Sequence, residues 1–350
     1  MMIYKDVEFH NIEEITPWDS TGAILLGRYP KAVREAINPR GRWNGQILTG
    51  SEIRFVTDGP MVRVHLTNLD FAGVPAYIFI FKGDFFVSCR TMEAGVITSL
   101  HLEGPPRFEK VHPEALKGRC FSNAVWRLFL SGCLPVLHQI DTLGKSIRPP
   151  HASEKPSLTW LAYGSSITAG AGVTTPLNTY VQQAAWRLGV DVLNLGLGGS
   201  CMCEPQLADY LANRNDWDFA TLELGVNMCG LFSIDEFRQR VLYLIQTLQR
   251  RHPQKVLVLI TSFPFAEDRG VAKEISQAGT TQEEYNKYLR EIVSRDTTGC
   301  LRLVEGHKLL PEFSELTCDL GHPSDYGHIR IGENLARALS DMGIVNGNPT

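Results

Sequence analysis

Four short stretches carry residue types that could together perform acyl transfer: GSSIT at 164–168, NLGLGGS at 194–200, ELGVN at 223–227 and DLGHP at 319–323. A hydroxyl is a poor nucleophile near neutral pH, so it needs an imidazole to take its proton and a carboxylate to hold that imidazole. Ser166, His322 and Asp319 are the candidates for those roles, with Asp319 three residues before the histidine. The negative charge that develops on an ester carbonyl needs donors already aimed at it, from a glycine-rich turn or a side-chain amide. The backbone of Ser166, the backbone of Gly199 and the side chain of Asn227 are the candidates there.

Other residues compete for these roles. Asp325 and His328 repeat the D-x-x-H spacing, but they fall where the last helix begins; Asp325 is read as cap chemistry and His328 as a surface or packing residue. Ser200 is read as a loop hydrogen-bonder, and Cys201, Cys203 and Cys229 as small apolar residues near the site. The G-x-S-x-G elbow of α/β-hydrolases is absent. His322 and His328 are not the i, i+4 pair of a zinc helix, and Cys201-x-Cys203 has the wrong spacing for structural zinc, so no metal or other cofactor is expected.

The elements that must position these groups change character along the chain. From about residue 47, EIRFV, MVRVHLTN, AYIFIFKG, DFFVSCR and GVITSLHL are short β-rich runs, with apolar and polar residues alternating in MVRVHL and with turns such as Asp58-Gly59-Pro60 and Lys82-Gly83-Asp84 between them. These are antiparallel strands, and their short spacing predicts a jelly-roll-like β-sandwich over residues 1–150. The proline-rich stretch 145–157 reads as a linker. Beyond it, strands at 158–163, 191–195, 219–224, 255–261 and 301–305 alternate with helices at about 178–188, 204–213, 234–251, 281–295 and 325–341. That alternation predicts a parallel sheet with helices on both faces over residues 157–345, whose ligands bind at the carboxyl ends of the strands. Three of the four stretches fall at such ends.

In this order and spacing, the four stretches resemble the sequence blocks of the SGNH (GDSL-type) hydrolases. The resemblance covers about 158–342 and implies a three-layer α/β/α domain with a five-stranded sheet and a shallow, open site. It assigns the nucleophile to Ser166, the further oxyanion donors to Gly199 and Asn227, and the acid–base pair to Asp319 and His322. One residue departs from the pattern: Ser165 stands where the family usually has aspartate. The order of a β-sandwich followed by this domain is similar to two-domain carbohydrate esterases. It implies a serine esterase acting on short acyl, chiefly acetyl, esters of a carbohydrate, with a lysophospholipase- or thioesterase-type SGNH hydrolase and a non-catalytic carbohydrate-binding protein as the alternatives.

Composition bounds the partners. The 350 residues are 43% apolar with a net charge of −4, which gives no electrostatic reason to expect nucleic acid or an anionic membrane. A small-molecule or oligosaccharide ester suits the chain better, and a homo-oligomer stays open. The N-terminus lacks the basic start and apolar core of a signal peptide, so a cytoplasmic location is expected, with the eight cysteines reduced. Apolar residues after Asn227 (Met228, Leu231, Phe232) and at Phe263 and Phe265 are read either as lining for the acyl or leaving group or as core. Trp18, Trp43 and Tyr77 are candidates for stacking on sugar rings. The β-sandwich is expected to border the cleft.

Overall fold

A computed structural model describes residues 2–70, 76–116, 119–265 and 280–345. The chain divides into two compact units, one of residues 1–31 and 45–157, the other of residues 32–44 and 158–350.

The first unit holds two antiparallel sheets. Its strands are β1 (Met2–Tyr4), β2 (Val7–His10), β3 (Glu14–Pro17), β4 (Ile24–Gly27), β5 (Ser51–Thr57), β6 (Met61–Asn68), β7 (Ala76–Lys82), β8 (Phe85–Met92), β9 (Ile97–Glu103), β10 (Val125–Ser131), β11 (Pro135–Asp141) and β12 (Ile147–Arg148). One sheet runs β1-β2-β5-β10-β7-β8, with β12 also on β5, and the other runs β3-β4-β11-β6-β9. Alternation decides which face is buried: on β6, Val62, Val64 and Leu66 turn into the core while Arg63 and His65 are only partly covered. They meet Phe9, Ile53, Ile78 and Leu128 of the other sheet in one apolar cluster, which makes the unit a β-sandwich. β10 lies between β5 and β7 and is buried along its whole length. Its Arg127 shares Glu52 of β5 with Arg54, and although burial opposes ionisation, the two guanidinium charges hold the Glu52 carboxyl down to about 2. Of the candidate sugar-stacking aromatics in this unit, Trp18 is about half exposed, while Tyr77 is partly covered on β7, with its ring tilted against Phe79.

The second unit is built on five parallel strands, β13 (Thr159–Gly164), β14 (Asp191–Gly196), β15 (Phe219–Glu223), β16 (Leu257–Ile260) and β17 (Leu301–Val304). Their order is β14-β13-β15-β16-β17. The chain therefore leaves β13 toward one edge and returns on its other side, and the ligand crevice of such a sheet opens at that reversal, beyond the carboxyl ends. Between and after the strands lie α3 (Ser166–Ala169), α4 (Tyr180–Leu188), α5 (Pro205–Asn213), α6 (Ile234–Arg251), α7 (Gln282–Ser294), α8 (Gly306–Leu309) and α9 (Asp325–Asp341). Alternate strand residues feed two cores. Trp160, Ala162, Val258 and Ile260 pack with Tyr180 and Ala184 of α4 and with Ile331 and Leu335 of α9. Leu161, Leu193 and Leu259 are buried on the opposite side of the sheet. The sheet with its helices is the α/β/α domain implied by the resemblance, and Ser233 caps α6, its Oγ accepting from the Glu236 amide.

Residues 32–44 join this unit through α1 (Lys31–Ala36) and α2 (Pro39–Gln46). The Asn38 side chain donates to Glu204 Oε1 at 2.6 Å, and the Asn38 backbone amide donates to the same oxygen at 3.1 Å. Six residues later, Asn44 Nδ2 donates to Gly198 O at 2.5 Å. Both acceptors belong to the segment that follows β14.

Candidate active site

Ser166 is the first residue of α3, two residues beyond the end of β13. The turn is tight, and Ser165 caps it: its buried hydroxyl accepts from the Ile167 amide at 3.2 Å. That hydrogen bond occupies Ser165 and leaves Ser166 as the hydroxyl facing the imidazole. Ser166 Oγ lies 2.9 Å from His322 Nε2, and His322 Nδ1 lies 2.7 Å from Asp319 Oδ2. A carboxylate only accepts, so Nδ1 carries the hydrogen and Nε2 presents its lone pair to the serine hydroxyl.

Asp319 is fixed by more than the histidine. Its Oδ1 accepts from Thr317 Oγ1 at 2.6 Å and from the amides of Gly321 and His322 at 2.9 and 3.0 Å. Burial works against the charge, but the hydrogen bonds from Thr317, the imidazole and the two amides outweigh it and hold the carboxyl well below the usual carboxylate range. The His322 side chain is 35% exposed and that of Asp319 51%, so this end of the site is open to solvent.

Gly199 and Asn227 follow β14 and β15, the two neighbours of β13. Gly199 has φ +61°, in the left-handed region that favours glycine. The preceding Gly198 turns its α-carbon toward the serine, where an added β-carbon would come within 3.8 Å of Ser166 Cβ. Asn227 Oδ1 accepts from the Cys201 amide at 3.1 Å. This bond ties the β15 loop to the β14 loop, and it leaves the Nδ2 end of the amide as the available donor.

Glu223, the last residue of β15, is a participant that sequence reasoning did not single out. It lies beneath the serine turn, fully buried, with Oε2 accepting from the Ser165 amide at 2.7 Å and from Thr168 Oγ1 at 3.2 Å. Gly164 makes room for it, since a β-carbon there would sit 2.7 Å from Glu223 Oε2 and 2.1 Å from Thr168 Oγ1. Burial outweighs these hydrogen bonds and pushes the carboxyl up to about 7. Where the resemblance expects an aspartate beside the nucleophile, this chain has Ser165 and, under it, a carboxylate from the neighbouring strand. The signal available in sequence was an acidic residue ending a strand that is otherwise uncharged. Thr317, Asn38 and Asn44 left no comparable trace.

The competing residues do other work. Ser324, not Asp325, caps α9, with its Oγ accepting from the Gly327 amide at 3.5 Å. Asp325 holds the 174–178 loop through Thr174 and Asn178. His328 is a packing residue: buried, it accepts from the Tyr180 amide at Nδ1 and donates from Nε2 to Ala171 O, and burial pushes it down to about 4. Ser200 Oγ donates to Gly198 O at 3.2 Å. Cys201 and Cys203 are buried, and burial raises the Cys201 thiol well above its ordinary value, so it stays protonated. Of the flanking apolar residues, Met228 and Phe263 are core and Leu231 is exposed.

Comparison with known proteins agrees with this architecture. Residues 158–340 match the model of the GDSL-like lipase/acylhydrolase family. Curated proteins give no match. Among solved structures, a salicylyl-acyltransferase from a tetracycline biosynthetic pathway superposes with a TM-score of 0.79 at 18% identity, covering 97% of this chain and 96% of that one. A family two carbohydrate esterase from Cellvibrio japonicus superposes with a TM-score of 0.65 at 12% identity, over 97% and 96% of the two chains. At these identities the likeness is one of fold. The family match spans more than half of the chain, from β13 into α9, and on it the chain belongs to the GDSL-like lipase/acylhydrolase family.

Proposed function

We propose that this protein is a serine esterase that removes short acyl groups, acetyl above all, from a carbohydrate alcohol. The observation that carries the reading is the continuous relay from Ser166 Oγ through His322 to Asp319, with both links within hydrogen-bonding distance. His322 takes the hydroxyl proton as Ser166 attacks the ester carbonyl, and Asp319 stabilises the imidazolium that forms. The backbone amides of Ser166 and Gly199 and the Nδ2 of Asn227 receive the oxyanion. The alcohol leaves with the proton from His322, and water then attacks the acyl-enzyme by the same route in reverse.

Two features favour a saccharide ester. The exposed surroundings of His322 suit a bulky alcohol. In addition, Trp43, 48% exposed, sits on α2 next to the Asn44 that binds Gly198, where an indole face can stack on a sugar ring.

The test is hydrolysis of 4-nitrophenyl acetate and of a peracetylated xylose with EDTA present. The wild type is expected to be active, Ser166→Ala inactive, and Asn227→Ala slower by about a hundredfold or more. Equal rates in wild type and Ser166→Ala would overturn the nucleophile assignment. Faster turnover of octanoyl and longer esters would favour the lysophospholipase or thioesterase reading over deacetylation.

A further inference from the structure

Beside the proposed oxyanion turn lies a cation that the reaction does not use. The Arg40 guanidinium lies against Gly199: a β-carbon on that glycine would fall 2.4 Å from Arg40 Cζ, 2.6 Å from Nη1 and 2.7 Å from Nε. Arg40 is exposed, and among the described residues no carboxylate pairs with it and no acceptor takes its N–H groups. Glu204, the acid that Asn38 grips, does not pair with it. Glu204 is buried, its Oε1 takes both Asn38 donors, and among the described residues its Oε2 has no hydrogen-bond partner.

The position is also built. Two residues before Arg40, Asn38 is clamped to Glu204 and to Ser200 O, and four residues after it, Asn44 is clamped to Gly198 O and Ser200 Oγ. Both clamps grip the segment that carries Gly199, so the helix turn bearing Arg40 is tied to the loop that the mechanism needs rigid. An arginine usually finds a surface carboxylate or lies free over solvent; here the turn that bears it is tied to the Gly199 loop, and its guanidinium lies against Gly199 with its donors unspent among the described residues.

We propose that Arg40 is a specificity residue that binds an anionic oxygen group, a carboxylate or a phosphate, carried by the ester substrate close to the scissile bond. The inference rests on the esterase reading and narrows its substrate class to charged esters. With an acetyl acyl group, the charge belongs to the alcohol part, such as an acidic or phosphorylated saccharide. Guanidinium and carboxylate or phosphate meet through paired N–H···O bonds, so both charge and shape select. The location beside Gly199 also admits a competing role, direct electrostatic support of the oxyanion, which would act on every ester alike.

The test compares charged and neutral members of two ester pairs. The first pair, 4-acetoxybenzoate and its methyl ester, places the charge on the alcohol side. The second, mono-4-nitrophenyl succinate and its methyl ester, places it on the acyl side. In each pair the ratio of kcat/KM, charged over neutral, is measured for wild type, Arg40→Gln and Arg40→Lys. Both substrates of a pair meet the same preparation, so partial misfolding of a variant cancels from the ratio. Comparing ratios between enzymes likewise cancels the intrinsic reactivity of the esters.

The ratio is expected to fall about tenfold from wild type to Arg40→Gln in at least one pair, to be partly retained in Arg40→Lys, and to decline on adding salt in the wild type. A fall confined to the first pair places the anion on the alcohol, and one confined to the second places it on the acyl group. Ratios unchanged by Arg40→Gln in both pairs would overturn the proposal while leaving the esterase reading intact. So would an equal loss on charged and neutral esters, which would assign Arg40 to the oxyanion. No hydrolysis of any of the four esters or of 4-nitrophenyl acetate by wild type would overturn the esterase reading and the proposal together.

Discussion

At the residue scale, the substitution of serine for the usual acid beside the nucleophile is the chemical peculiarity of this chain. A carboxylate has not been lost from the site. Glu223 brings one from the adjacent strand and receives the Ser165 amide on it. The cost is a fully buried acid with one oxygen, Oε1, lacking a hydrogen-bond partner among the described residues, and its carboxyl is pushed up to about 7. The consequence for stability has a definite sign. Below about 4.5 both folded and unfolded chains hold this proton. As pH rises from about 4.5 to about 7, the unfolded chain releases it while the folded one keeps it, so the fold loses stability across that window. Glu223→Gln keeps an acceptor for Ser165 and removes the titration. Its Tm relative to wild type is expected to climb through the same window, and a difference that stays flat with pH would show that Glu223 ionises normally.

At the element scale, the site depends on loops that hold one another. Asn227 Oδ1 ties the β15 loop to the β14 loop, and Asn44 on α2 ties the β14 loop from its other side. The positive φ of Gly199 is thus set in a segment gripped at both ends. Removing one grip should loosen the donor and leave the nucleophile in place. Asn44→Ala is expected to lower kcat for 4-nitrophenyl acetate about fivefold, the worth of one hydrogen bond, with Tm slightly reduced. Unchanged kcat would mean that the turn holds its shape without α2. The strands and helices themselves were legible in sequence because their apolar residues recur with periods of two or 3.6 and their caps are marked. α6 and α9 run over 234–251 and 325–341 as expected, and β6 over 61–68. The reading missed β1 to β4, whose runs are three or four residues long and too short to show a period. It also missed β10, whose VWRLFLS is buried on both faces and does not alternate apolar with polar.

At the scale of the whole molecule, residues 32–44 bear on what can be cut away. They precede most of the β-sandwich in sequence, yet they pack in the unit of the parallel sheet. A fragment beginning at Ser157 lacks Asn38, Arg40 and Asn44 and leaves the buried Glu204 carboxylate without its donors. It is expected to lose at least tenfold in kcat/KM and to melt well below the full chain. A fragment matching the full chain in rate and selectivity would show that these residues are dispensable. The sequence by itself determined the parallel α/β unit, the order of its strands and helices, and the four stretches at the site. Local patterning and turn chemistry dictate these features, and the relay residues sit at fixed offsets from strand ends. Only the tertiary structure decided that Glu223 lies beneath Ser165 and takes its amide, that Thr317 helps hold Asp319 ionised, and that Arg40 lies on Gly199. Those relations join residues 58, 2 and 159 positions apart through side-chain packing. Packing leaves no period or spacing for a sequence to reveal, except at Thr317, where the separation is short and the contact depends on how one loop turns.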